Sequence, residues 1–202
     1  MSDGGPPQGG SCGPTVDSFK SVSSGNFFGC GVRFDGRRRC WGENNRGRAP
    51  PDPSVDRFKQ VSAGESSACG VRLDDKMVCW GDNDLGQAPP GPSRDSFKMV
   101  SASETSTCGV RADGHVVCWG SNSNGQAPPG PSVELFKSVS AGKVSTCGVR
   151  ADDRVVCWGH NDFGEASPAP TLDSFLSVAS GWLRTCGIRT DHKLLCWGWQ
   201  GL

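Results

Sequence analysis

The chain has 202 residues, with 21 lysines and arginines against 21 aspartates and glutamates, so its formal net charge is zero. That balance gives no basic excess for gripping nucleic-acid phosphates and no long-range pull toward an anionic membrane. Glycine (29) and proline (14) make about a fifth of the chain, which suits short strands between many turns and argues against long helices.

Residues 1–14 read as a flexible tail. They carry neither a basic segment nor an apolar core, so they are not a secretory signal, and no stretch of the chain is apolar over the roughly 18 residues a spanning helix needs. Cys12 in this tail is read as a free thiol or an interchain partner. From Phe19 onward the chain repeats every 39 residues. Phe19, Phe58, Phe97, Phe136 and Phe175 share one phase, and Trp41, Trp80, Trp119, Trp158 and Trp197 share another. Two cysteines per unit keep the same interval, so five tandem units follow: 19–57, 58–96, 97–135, 136–174 and 175–202. With residues 15–18 they make one repeat domain over 15–202.

The third unit shows the pattern. FKMVS, from Phe97, alternates apolar and polar side chains and predicts a short strand with Phe97, Val100 and Ala102 as burial candidates. A Gly- or Ser-containing turn follows. TCGVR, the turn at Asp113-Gly114 and VVCWG then predict a β-hairpin. Asp35-Gly36 repeats the turn, while Asp74-Asp75, Asp152-Asp153 and Asp191-His192 occupy it with residues less suited to turn geometry. WGxNxxG, with Asn44, Asn83, Asn122 and Asn161, predicts a tight turn, and the proline-rich QAPPGPS a linker or edge.

Parity places Cys108 opposite Cys118 and Val110 opposite Val116, with Val117 and Trp119 on the other face. Both faces of the hairpin are therefore apolar, and such a sheet must be sandwiched between neighbours. The five C-x9-C pairs are Cys30 and Cys40, Cys69 and Cys79, Cys108 and Cys118, Cys147 and Cys157, and Cys186 and Cys196. One reading is a disulfide within each hairpin, which implies an oxidising compartment. The other is ten reduced cysteines acting as small buried hydrophobes. Zinc is disfavoured by the spacing. Localisation follows the same fork: extracellular if the pairs are oxidised, cytoplasmic if they are reduced.

Units such as VSAGKVSTCGVRADDRVVCWGHNDFGEA, Val139 to Ala166, resemble repeats of the regulator of chromosome condensation (RCC1) superfamily. They are most similar to its short, cysteine-containing CWGxNxxGQ subgroup, found in bacterial and algal repeat proteins and in Crinkly4 receptor ectodomains. The resemblance covers Thr15 to the C-terminus and implies an all-β propeller, often seven-bladed. Five units leave two forms open: a closed five-bladed ring, or an open arc of a larger one. Where the family often has histidine before the second strand, this chain has Phe28, Ser67, Ser106, Ser145 and Arg184.

No phosphate-binding glycine loop, dinucleotide fingerprint or nucleophile elbow occurs. No cofactor or catalytic constellation is expected. The arginine of CGVR, followed two residues on by aspartate, recurs in every unit and reads as architecture. Function is expected where the units differ. That rule selects Phe27, Phe28, Trp182 and Arg184 after the first strand, and Arg37 and Arg38 at the hairpin turn. It also selects Asp84, Leu85, His160, Asp162, Phe163 and Trp199 in the WGxNxxG loop. The aromatics among them either cap the terminal units, or close one onto the other, or contact a partner. The leading expectation is a non-catalytic scaffold that binds a protein, without nucleic-acid or membrane insertion. Guanine-nucleotide exchange on a small GTPase and lectin-like sugar binding stand as alternatives, and a small-molecule or glycan ligand remains open.

Overall fold

The structure is a computed structural model that describes residues 17–51, 54–166 and 172–200. The expected tail and Cys12 lie outside these residues. Each unit folds into one three-stranded antiparallel sheet, its strands in sequence order. The first sheet is β1 (Phe19–Ser24), β2 (Phe28–Arg33) and β3 (Arg38–Gly42), and the second is β4 (Phe58–Ala63), β5 (Ser67–Arg72) and β6 (Met77–Gly81). The third is β7 (Phe97–Ala102), β8 (Ser106–Arg111) and β9 (Val116–Gly120). The fourth is β10 (Phe136–Ala141), β11 (Ser145–Arg150) and β12 (Val155–Gly159), and the fifth is β13 (Phe175–Ser180), β14 (Arg184–Arg189) and β15 (Leu194–Gly198).

The first strand of each unit departs from the simple alternation read from the sequence. Phe97 and Val100 are three residues apart, yet both are buried. A bulge between Phe97 and Met99 absorbs the odd residue, and the same shift occurs in every unit. A bulge sets two residues against one, so the phase of the strand flips and both side chains reach the same face.

The hairpin register is the expected one. Cys108 faces Cys118, and Val110 faces Val116. All five cysteine pairs form disulfides across their hairpins, with Cα atoms 4.0 Å apart. The turns hold a left-handed residue whether or not it is glycine: φ is +95° at Gly114 but also +65° at Asp75, +70° at Asp153 and +64° at His192. The preceding aspartate braces the turn in every unit, glycine or not. Its carboxylate accepts the N–H two residues on, as from Lys76 to Asp74 at 3.1 Å and from Lys193 to Asp191 at 3.2 Å.

The sheets stack through their faces. The cysteine–valine face of one unit meets the Phe–Val–Trp face of the next. Cys147, Val149 and Val155 of the fourth unit pack with Phe175, Val178 and Trp197 of the fifth. Equivalent clusters join every consecutive pair. Within a unit, Phe and Trp rings meet edge-on or tilted, as Phe136 and Trp158 do edge-on at 5.8 Å. First strands are stitched by a serine: Ser62 Oγ accepts from Ala102 N at 2.9 Å, and Ser101, Ser140 and Ser23 do the same.

Two faces have no such cover among the described residues. Val22 of the first unit is 65% exposed, where Val61, Val100 and Val139 are buried. Leu194 of the fifth is 69% exposed, against 1% for Val155. The five sheets therefore form an open arc, not a closed five-bladed ring. The arginine ladder is architectural as expected. Arg72 reaches Asp74 at 2.7 Å and the linker's Asp56 at 3.4 Å, and Arg33, Arg111 and Arg189 repeat this clamp. Asp17, bound to Arg33 at 3.1 Å, fills the linker position ahead of the first unit.

Candidate interaction face

Backbone hydrogen bonds fix which loops emerge together. The N–H after each third strand donates to the carbonyl before the second strand: Glu43 to Phe27 at 2.9 Å, His160 to Val144 at 3.0 Å and Trp199 to Leu183 at 2.8 Å. The loop after the first strand and the WGxNxxG loop therefore share one end of the arc. The Asp-Gly hairpin turns lie at the opposite end, because β-strands run straight between them.

The WGxNxxG loop is held from inside. The asparagine Oδ1 accepts the N–H five residues on, from Ala49, Ala88, Ala127 and Ala166 at 2.8–2.9 Å. Behind each loop sits a buried side chain: Arg48, Gln87, Gln126 or Glu165. Gln87 Oε1 accepts from Leu85 N at 3.0 Å and Gln126 Oε1 from Asn124 N at 2.9 Å, which closes the turn. The backbone carbonyl of the same residue serves the next unit. Arg48 O accepts from Trp80 Nε1 and Gln126 O from Trp158 Nε1, both at 3.0 Å, while Glu165 O accepts from Thr185 Oγ1 at 2.9 Å. The loop's exposed tip is thus mounted on a rigid base.

In the fourth unit that base is ionic. Glu165 is 0% exposed, and its Oε1 bonds His160 Nδ1, while its Oε2 accepts from Phe163 N at 3.0 Å. Asp162 lies 3.2 Å from His160 Nε2. The hydrogen bond to Glu165, with the charges of Glu165 and Asp162, raises the His160 pKa above its usual value. Burial pushes the Glu165 carboxyl up, but the bond from His160 and the backbone N–H groups outweighs it, leaving a net lowering.

Most of the residues expected at a partner surface meet at this end. Phe27 (69% exposed), Trp182 (62%) and Trp199 (55%) project from it, and Leu85 and Phe163 are exposed at the loop tips. Asp84 is clamped by Arg46 of the preceding unit, which also binds Asp82 at 2.6 Å. Arg184 is exposed and donates to Gln200 O at 3.3 Å. His160 and Asp162 lie beside Phe163, whose ring centre is 6.2 Å from the imidazole.

Three expected residues do not join them. Phe28 is only 5% exposed and packs in the core between the first two units. Arg48 lies over its ring at 5.7 Å, so the pair fills space that Ser67 and Gln87 occupy one unit on. Arg37 and Arg38 belong to the hairpin turn at the opposite end, from which the Arg38 side chain extends to lie 4.5 Å above the Trp80 ring. Phe27, Trp182 and Trp199 are all exposed. Glu165 was not among the expected residues. Its signal in the sequence is its place in a series that reads Arg48, Gln87, Gln126, Glu165, paired with a histidine found at that loop position in the fourth unit alone. Among the described residues no group of three or more His, Cys, Asp or Glu side chains is arranged to hold a metal ion.

Small antiparallel sheets stacked face to face around an axis, with their loops gathered at one end, define the β-propeller class. The RCC1 family model, "Regulator of chromosome condensation (RCC1) repeat", matches residues 19–48, 58–87, 98–126, 136–165 and 175–201, and the chain belongs to that family. Among solved structures it is similar to the CRINKLY ectodomain of the Arabidopsis thaliana receptor kinase ACR4, at 28% identity and TM-score 0.73, covering 93% of this chain and 66% of that one. The ectodomain of the Physcomitrella patens receptor kinase CR4 matches at 26% identity and TM-score 0.77, over 94% of this chain and 54% of that one. Prp20p of Saccharomyces cerevisiae, described with its binding to Gsp1p and histones, shares the fold at 16% identity and TM-score 0.74, over 89% and 58% of the two chains. The chain thus spans between about half and two thirds of these structures. Comparison with curated proteins gives no match.

Proposed function

We propose that this chain is a non-catalytic binding module that engages a protein partner through its loop end. One observation carries the reading. Large apolar side chains, Phe27, Leu85, Phe163, Trp182 and Trp199, stand exposed on that end, Leu85 and Phe163 on loops tied back by hydrogen bonds to the buried side chains of Gln87 and Glu165. Exposed aromatics on a rigid frame lose little conformational entropy on binding and are the usual anchors of protein interfaces. Similarity to receptor ectodomains supports a recognition role over a catalytic one.

The test compares three proteins as affinity baits: the parent chain, a loop-end variant (Leu85→Ser, Phe163→Ser, Trp182→Ser, Trp199→Ser) and an opposite-end variant (Arg37→Ala, Arg38→Ala). A partner retained by the parent is purified and its binding measured directly. Loss of binding by about 2 kcal/mol or more in the loop-end variant alone is expected. Equal loss in the opposite-end variant, or none in the loop-end variant, rejects the reading.

A further inference from the structure

At the loop end, the turns after the first strands gather on the inner side of the arc and line a shallow, widely open hollow of about 350 Å³. The turns are packed backbone to backbone: a Cβ on Gly64 would overlap the carbonyl of Ser103, and one on Gly142 that of Gly181. This tight collar delivers one variable side chain per unit to the rim, in the order Asn26, Glu65, Glu104, Lys143 and Trp182. Three of the four neighbouring pairs along it touch. Asn26 Nδ2 donates to Glu65 Oε1 at 3.3 Å, Lys143 Nζ binds Glu104 Oε2 at 2.6 Å, and the same ammonium lies 4.8 Å from the Trp182 ring centre.

The charges of the cavity do not balance. Its lining holds two carboxylates on consecutive units, Glu65 and Glu104, against the single ammonium of Lys143. Both carboxylates act on that ammonium, and the bond to Glu104 comes first among the causes that raise its pKa. Beyond Lys143, Trp182 leaves most of its surface uncovered. In the same lining, Ser180 Oγ is shut off from solvent with no hydrogen-bond partner among the described residues. The mouth therefore combines a net negative wall, an aromatic shelf and room for one long side chain.

Resting on the binding role proposed above, we infer that this axial mouth takes an arginine side chain presented by the partner protein. The guanidinium faces Glu65 and Glu104, and its stem lies toward Trp182. A planar, weakly hydrated fork suits two adjacent carboxylates and an indole face better than a compact ammonium does. Lys143 acts as an internal competitor, because it occupies both Glu104 and the indole in the free protein.

The test titrates the isotope-labelled chain with the blocked tripeptide acetyl-Gly-Arg-Gly-amide and with its neutral citrulline counterpart, following backbone amides and the Trp182 indole by NMR. The arginine peptide is expected to shift the Glu65, Glu104 and Trp182 signals, and the citrulline peptide to leave them unmoved. Glu65→Gln with Glu104→Gln should weaken binding about tenfold or more, and Lys143→Gln should tighten it about threefold. Glu65, Glu104 and Lys143 are half-buried turn residues, and the rest of the amide spectrum reports that the fold is kept. Equal binding of the citrulline peptide, an unaffected double variant, or weaker binding by Lys143→Gln overturns the inference. If the double variant loses the arginine peptide yet still captures the partner at full strength, the mouth is rejected as the partner's site and the loop-end reading stands. If the loop-end variant captures as well as the parent, that broader reading is the one that fails.

Discussion

Gly109→Ala isolates the packing that joins one unit to itself and to its neighbour. Gly109 lies in β8 outside the left-handed region, so alanine meets no backbone penalty there. What it meets is the Phe97 ring: an added Cβ would lie 2.8 Å from Cδ1 and 3.0 Å from Cε1. The ring has no room to retreat. It is 1% exposed, sits 5.6 Å from the Trp119 ring, and is wedged against Cys69, Val71 and Met77 of the preceding unit. Overpacking of this kind costs about 1–3 kcal/mol. In a chain of this size that lowers the melting temperature by roughly 2–12 °C. Calorimetry of the parent and of Gly109→Ala measures it, and adding Phe97→Leu, which shrinks the obstructing ring, should return part of the loss. Gly86→Ala serves as the contrast, because nothing lies within 4 Å of its added Cβ and only its φ of +80° resists the change. A Gly109→Ala protein as stable as the parent, or a double variant that is simply the sum of two losses, refutes the account of how the faces interlock.

Four further expectations follow from the same frame. Removing one cross-strand bridge with Cys108→Ala and Cys118→Ala opens an 11-residue loop and should cost roughly 2.5–3 kcal/mol in the chain-entropy description, read by thermal unfolding with and without reductant. Phe28→Ser should lose about 3 kcal/mol or more to the cavity it leaves, whereas Phe27→Gly should gain up to about 1 kcal/mol, since Phe27 is exposed and held at a φ of +59°. The His160–Glu165 pair should make the fourth loop pH-dependent. The raised histidine contributes stability that is complete below about pH 6.5 and is lost as pH rises through its folded pKa. The lowered carboxylate contributes stability present above about pH 4.5 and lost as pH falls through its own. The benefit is therefore greatest between these values, and a double change to the neighbouring unit's residues, His160→Ser with Glu165→Gln, should flatten the unfolding profile across both limbs; an unchanged profile refutes the pairing. Lastly, mass measurement of the unreduced chain should show ten hydrogens fewer than the reduced one from the five hairpin bridges, and a smaller deficit counts against them.

The candidate site was partly legible in advance. Comparing the units position by position picked out Phe27, Leu85, Phe163, Trp182 and Trp199, because a residue that breaks the period is not needed to maintain it. The same rule failed for Phe28. Its strand parity with Cys30 and Val32 points it into the stack, where Arg48 from the adjoining loop adjusts the space around it. It failed again for Arg37 and Arg38, since variability alone does not say which end of a sheet a loop leaves from.

Sequence by itself determined the unit. A period of 39, the strand alternation, the Asp-Gly turns and the cysteine register specify one antiparallel hairpin with two apolar faces, because those features depend on contacts within a few residues of each other. Tertiary structure alone decided what the units do together. The open ends marked by Val22 and Leu194, and the rim where Asn26, Glu65, Glu104, Lys143 and Trp182 meet, join residues about one repeat or more apart in placement or in cover. Their positions follow from how one sheet rotates onto the next, and no local pattern of side chains encodes that rotation.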